Sequence, residues 1–273
     1  MNAMSTPTRE VSAHLDITVH APTELEMQIA VAHLPGLTMT ETLEISVDGT
    51  PITPTEIVDD HGGRIHRVML EAGRLVIGYR ASVTTPAEPV AVRATDRSIY
   101  LRPSRYAESD TFFGFAAGQF DASLPPRELL TQVTDFVTRR LRYVPGASDP
   151  IDGAADTLLA GAGVCRDYAH LVIALLRALT IPARLVAVYA PGCSPMDFHA
   201  VAEALVDDEW VVVDATRLAP RQTMVRIATG RDAADTAFLD NHGGAISLDS
   251  YRVDASVHGI LPADDHHRWA HLG

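Results

Sequence analysis

The sequence predicts an α+β fold: an antiparallel, sandwich-like β domain comes first, and a core mixing helices with a sheet follows. Three observations carry that prediction. Apolar residues alternate from Val11 to about Thr85, recur at intervals of three and four between Leu129 and Leu179, and return to strand-like runs from Ala183 to Thr216. With 273 residues, 47% of them hydrophobic and 21% charged, the chain can bury a core of one large or two modest domains.

Residues 1–10 are polar, without the apolar stretch of a secretory signal, and read as a flexible N-terminus. The β-rich domain is expected over 11–105. Runs such as His14-Leu15-Asp16-Ile17-Thr18-Val19 and Glu24-Leu25-Glu26-Met27-Gln28-Ile29 alternate with period two. Between the runs, Val47-Asp48-Gly49-Thr50 and His61-Gly62-Gly63 read as hairpin turns. Periodicity fades after Pro86, and Pro89 and Pro103 mark a linker, so the second domain is placed at 106–260. In it, Leu129, Leu130, Val133, Phe136, Val137 and Leu141 predict a helix started by Pro125-Pro126 and stopped by Val144-Pro145-Gly146. A second helix follows Cys165 and ends at Thr180-Ile181-Pro182, because a residue before proline avoids the α region. Strands are expected at 183–190, 198–206 and 210–216, the last two joined by a turn around Asp207-Asp208. Residues 261–273 read as a solvated C-terminal tail, in which His266, His267 and His271 only superficially resemble a metal site.

The formal charge of -13, from 35 acidic against 22 basic residues, argues against nucleic acid and anionic membranes as partners. Two cysteines make no disulfide framework, and no run of about 18 apolar residues offers a membrane span, so the cytoplasm is the expected location. No phosphate-binding glycine loop, dinucleotide fingerprint or acidic calcium loop is present; neither a cofactor nor a metal is expected. Oligomeric state is left open.

Chemistry concentrates where Gly161-Ala162-Gly163-Val164 delivers Cys165 to the first turn of an apolar helix. Free N–H groups and the positive end of the helix dipole favour a thiolate there, and could also hold an oxyanion. A lone cysteine is more often a small buried hydrophobe. What raises Cys165 above that reading is the hairpin carrying His199 and Asp214. With a two-residue turn at 207–208, Val206 faces Glu209, His199 faces Thr216 and Asp214 faces Val201. Asp214 then lies diagonal to His199 on the same face, at about 7–8 Å between backbones, within carboxylate reach of the ring. A three-residue turn would send it to the other face. In that register His199 can take the thiol proton while Asp214 orients the ring. Tyr143 is a candidate oxyanion donor, though a tyrosine at a helix end more commonly just packs there. Asp167 reads as a loop anchor, and Cys193 as a loop cysteine whose disulfide with Cys165 would block the nucleophile.

Gly163-Val164-Cys165-Arg166-Asp167-Tyr168-Ala169-His170-Leu171, Ile181-Pro182-Ala183-Arg184, Phe198-His199-Ala200 and Trp210 through Thr216 together resemble the core of the transglutaminase-like superfamily. The resemblance covers about 127–239 and keeps the family order Cys, His, Asp. It implies a papain-like α+β core behind an N-terminal β domain, as in bacterial transglutaminase-like cysteine peptidases. It also implies a hydrolase for amide or peptide bonds that works through a thioester, with a peptide or protein substrate. Crosslinking acyl transfer to an amine and a catalytically silent peptide-binding module are the alternatives. Where the family often has tryptophan after His-Ala and proline after the Asp, this chain has Val201 and Ala215. Arg231 and Asp232 fall in a stretch that resembles one found after the triad in bacterial members; they read as structural.

Overall fold

The computed structural model describes residues 7–272. Seven strands come first: β1 (Arg9–Val19), β2 (Thr23–Met27), β3 (Thr38–Val47), β4 (Thr50–Pro51), β5 (Thr55–Val58), β6 (Arg64–Leu70) and β7 (Gly73–Thr85). Alternation sets their faces. On β1, Val11, Ala13, Leu15, Ile17 and Val19 are buried while Ser12, His14 and Asp16 turn outward. Both expected turns form. Asp48-Gly49 joins β3 to β4 with φ of 49° and 78°, and His61-Gly62-Gly63 lies between β5 and β6. Gly62 is required there: its φ is 77°, and a Cβ would come 2.2 Å from the His33 carbonyl oxygen.

The middle of the chain forms α1 (Asp96–Tyr100), α2 (Phe113–Gln119), α3 (Pro126–Arg140), β8 (Arg142–Tyr143), α4 (Ala154–Ala160), β9 (Ala162–Gly163) and α5 (Cys165–Ala178). Strands β10 (Ala183–Tyr189), β11 (His199–Val206), β12 (Glu209–Val213) and β13 (Val225–Gly230) follow. These four make an antiparallel sheet in the order β12-β11-β10-β13. Helix α5 is apolar nearly all round because it lies inside the core, against Leu185 of β10, Ala202, Ala204 and Val206 of β11, and Leu130, Val133 and Val137 of α3. Thr180, at φ 63°, ends that turn ahead of Ile181-Pro182.

Two expectations about boundaries change. Strands β14 (Leu239–Gly243) and β15 (Ile246–Val257) return to the N-terminal domain, giving sheets β15-β1-β7-β3-β4 and β14-β2-β6-β5. Residues 239–257 therefore belong to the sandwich and not to the 106–260 domain. They cover edges of β1 and β2 that would otherwise present unpaired N–H and C=O groups. Arg9 and Glu10, expected in the flexible N-terminus, are strand residues paired on both sides; residues 1–6 of that expectation lie outside the described residues.

The tail is not free either, although Asp265, His267, Arg268 and His271 stay exposed. Arg221 holds it through a bidentate pair to Asp264 (2.8 and 2.9 Å) and bonds to the carbonyls of Asp265 and Arg268. The Val212 N–H donates to the Ala270 carbonyl at 2.9 Å, Leu272 is buried, and His271 Nδ1 meets the Trp210 carbonyl at 2.9 Å. The three tail histidines are spread along this strap and form no cluster among the described residues. No helix among the described residues is long and apolar enough to cross a membrane.

Candidate active site

The register of one hairpin decides which side chains meet. Asp207 and Asp208 both take positive φ (52° and 60°), the backbone of a two-residue turn matched to strand twist. Val206 accordingly faces Glu209, and the pairing runs back to Ala202 opposite Val213. That parity puts His199 and Asp214 on one face, away from α5. His199 Nε2 lies 3.0 Å from Asp214 Oδ2, with both side chains buried. A carboxylate only accepts, so Nε2 carries the proton and Nδ1 is the nitrogen open to a thiol. Asp214 Oδ1 is in turn held by the Thr216 hydroxyl (2.6 Å) and amide (2.9 Å).

Cys165 arrives from the other side of the sheet edge. It is the first residue of α5, 9% exposed, and its Sγ–H points at the Phe198 carbonyl at 3.8 Å, one residue before His199. Cys165 and Cys193 both lie near enough to the His199 ring to help raise its pKa. Burial, the largest single influence, pushes the imidazole toward neutrality, but the charge of Asp214, its hydrogen bond to the ring and the nearby thiols together outweigh it and raise the His199 pKa well above the usual histidine range. Asp214 shows the converse. Burial favours its neutral acid, yet His199 and the Thr216 bonds hold it below the usual carboxylate range.

The start of α5 is built with little slack. The Asp167 carboxylate accepts the Val164 N–H at 2.7 Å and the Ser148 hydroxyl at 2.9 Å, while Arg166 Nη2 donates to Ser148 Oγ (2.6 Å) and the Asp149 carbonyl (2.7 Å). Asp167 is thus the loop anchor the sequence suggests. The first N–H groups of α5, Cys165 and Arg166, have no intrahelical acceptor. Tyr143 is fixed beside them because β8 pairs with β9, Tyr143 opposite Gly163. Its ring packs on Tyr168 at 6.1 Å, and burial together with the charge of Cys165 raises its hydroxyl pKa.

Other candidates do structural work. Asp232 accepts the Tyr106 and Ala234 amides (2.8 and 2.9 Å), and Arg231 pairs with Asp235. His170 accepts the Ala233 amide at 3.2 Å, stacks on Tyr106, and is kept neutral by burial, its pKa pushed down to about 3. Val201 and Ala215, the two departures from the family pattern, are buried, Val201 on β11 and Ala215 in the bend after β12. Sequence reasoning missed Asp197 and Tyr251, which meet beside Cys165 with Tyr251 Oη donating to Asp197 Oδ2 at 2.9 Å. The only hint available was an acid two residues before His199.

Comparison with known proteins bears on the family and the fold. Residues 114–215 match the transglutaminase-like superfamily model. A crystal structure from Cytophaga hutchinsonii, provisionally named a cysteine protease, is 30% identical, covers 94% of this chain and 93% of its own, and superposes with a TM-score of 0.84. Uncharacterised proteins of Mycobacterium leprae (26% identical) and Mycobacterium tuberculosis (30%) match 55% and 52% of this chain. The matched parts are 57% and 49% of those proteins, so the chain spans about half the length of the curated relatives it matches. With its fold matched nearly end to end and the family's own segment lying over α5, β11 and β12, the chain belongs to the transglutaminase-like superfamily.

Proposed function

We propose that this protein is a cysteine-protease-type hydrolase that cleaves amide or peptide bonds, with Cys165 as nucleophile, His199 as acid and base, and Asp214 as the group that orients the ring. The observation that carries the reading is the buried His199 Nε2–Asp214 Oδ2 contact of 3.0 Å, which leaves the other ring nitrogen for a thiol presented by a helix N-terminus. The family and the Cytophaga hutchinsonii neighbour support the reaction class.

In the first half-reaction the Cys165 thiolate adds to the carbonyl carbon and the carbonyl oxygen becomes an oxyanion. The N–H groups at the start of α5 face that charge, and the Tyr143 hydroxyl, kept protonated by its raised pKa, is the second donor. His199 passes its proton to the departing amine as the C–N bond breaks, leaving a thioester. Water then attacks the thioester, His199 accepts its proton, and the carboxylate product leaves with Cys165 restored.

The test is amine release from a denatured protein and from synthetic peptide amides. Cys165→Ala should abolish turnover; a variant retaining more than a few per cent would overturn the assignment. Running the assay with an added primary amine distinguishes hydrolysis from acyl transfer, since amine incorporation outpacing hydrolysis would make the amine the acceptor. All 22 basic residues of the chain are arginine, so no lysine of the enzyme itself competes as acceptor.

A further inference from the structure

Beside Cys165 the two halves of the molecule meet at one carboxylate. Asp197 Oδ1 accepts the Phe198 N–H at 2.7 Å and Oδ2 accepts the Tyr251 hydroxyl at 2.9 Å; these are its hydrogen bonds among the described residues. Phe198 is also the residue whose carbonyl receives the Cys165 thiol, so a single residue's backbone separates the two functional groups. Tyr143, Tyr251 and Cys165 all lie within electrostatic range of one another or of Asp197.

Asp197 is one of several partly or fully buried acids without an ion pair among the described residues, with Asp59, Glu108 and Asp232. Glu41, Glu203, Asp235 and Asp264 each hold an arginine, whereas Asp197 holds none among the described residues. Its two bonds come from neutral donors, which fix the carboxylate in place without cancelling its charge. Tyr251 stands on β15 of the sandwich, 45% exposed, and its ring continues a line of aromatics through Phe238 (6.0 Å) and Phe198 (5.0 Å from Phe238). An oriented, unneutralised carboxylate beside an exposed aromatic face suits a cation with an apolar stem, which the ring can also attract through its π face.

We propose that Asp197 and Tyr251 form a specificity subsite for a cationic side chain, arginine or lysine, of the peptide on which Cys165 acts. The subsite rests on the hydrolase reading above, and it assigns the sandwich a share in substrate selection. The probe is a seven-residue peptide, acetylated and amidated, of alanines with a central arginine, compared with the same peptide carrying citrulline, a neutral isostere. Three residues on each side allow the arginine to reach the subsite in any register. Binding is measured by NMR titration to the full chain carrying Cys165→Ala, so that no turnover is needed.

The arginine peptide should bind at least fivefold tighter than the citrulline peptide, and Asp197→Asn in the same background should bring the two within twofold. Tyr251→Phe, which keeps the ring and removes the hydroxyl, should reduce the preference without abolishing it. Equal binding of the two peptides, or a preference that survives Asp197→Asn unchanged, overturns the subsite. Arginine-selective binding together with no hydrolysis by the unsubstituted protein would leave the subsite standing and remove the hydrolase reading instead.

Discussion

His199 and Asp214 owe their protonation states to each other, and that dependence has a sign. His199 binds its proton more tightly folded than unfolded, so its contribution to stability is full below the ordinary histidine pKa of about 6.5 and fades as pH rises through its higher folded value. Asp214 is shifted down, so its contribution is present above about pH 3.9 and fades as pH falls through its lower folded value. The pair therefore stabilises most between about pH 4 and 6.5. Asp214→Asn should show the widest loss of melting temperature in that window and a narrower one in mildly alkaline buffer; a gap that stays constant from pH 5 to 9 would exclude the charge pair as its source. The same variant should lose roughly 10²–10⁴-fold in kcat/KM at neutral pH, because an amide leaves the ring free to adopt the wrong tautomer.

Among the elements, the segment from β9 into α5 sets where the thiol sits. A Cβ on Gly163 would lie 2.6 Å from Asp167 Oδ2 and 2.7 Å from Asp167 Cβ, inside any tolerable contact. Gly163→Ala should therefore push Asp167 off the Val164 amide, cost about 1–3 kcal/mol as an overpacked site, and lower turnover by more than the unfolded fraction explains. Thermal melts and kcat measured on the same preparation check both parts. This stretch was legible in the sequence because its signals are local: glycines, then a cysteine, then apolar residues at helical spacing. The β11–β12 hairpin was equally legible, since an Asp-Asp turn of two residues fixes a parity that carries His199 and Asp214 to one face. Strand β13, the fourth of the core sheet, was missed. All six of its residues are buried, and the alternation of Val225-Arg226-Ile227 stops at Ala228-Thr229-Gly230, too short to mark a strand.

At the scale of the whole molecule the sequence misleads most, because what closes the sandwich comes from its far end. Strand β15 does alternate, but a register shift opposite Asp16 and Ile17 leaves Asp249 unpaired, so Ile246 and Leu248 fall out of phase with Tyr251, Val253 and Ala255. That broken period is why 246–257 read as part of the second domain. The consequence is a chain that leaves the sandwich, builds the core and returns. The two halves also share an interior: Tyr189, Val225, Ile227 and Ala228 of the core sheet pack in one cluster with Leu25, Met27 and Ile29. The Tyr189 hydroxyl donates to the Ile29 carbonyl at 2.7 Å, and the Ala32 amide donates to the Arg226 carbonyl at 2.9 Å. Neither half can expose that seam without leaving buried apolar surface and polar groups unpartnered, so domains that look separable in sequence should unfold together. Calorimetry should give one endotherm with calorimetric and van't Hoff enthalpies in agreement. Two resolved transitions, or a van't Hoff enthalpy near half the calorimetric value, would mean the seam is weaker than its packing implies. The placement of Tyr251 beside Cys165 would then no longer be fixed by the fold.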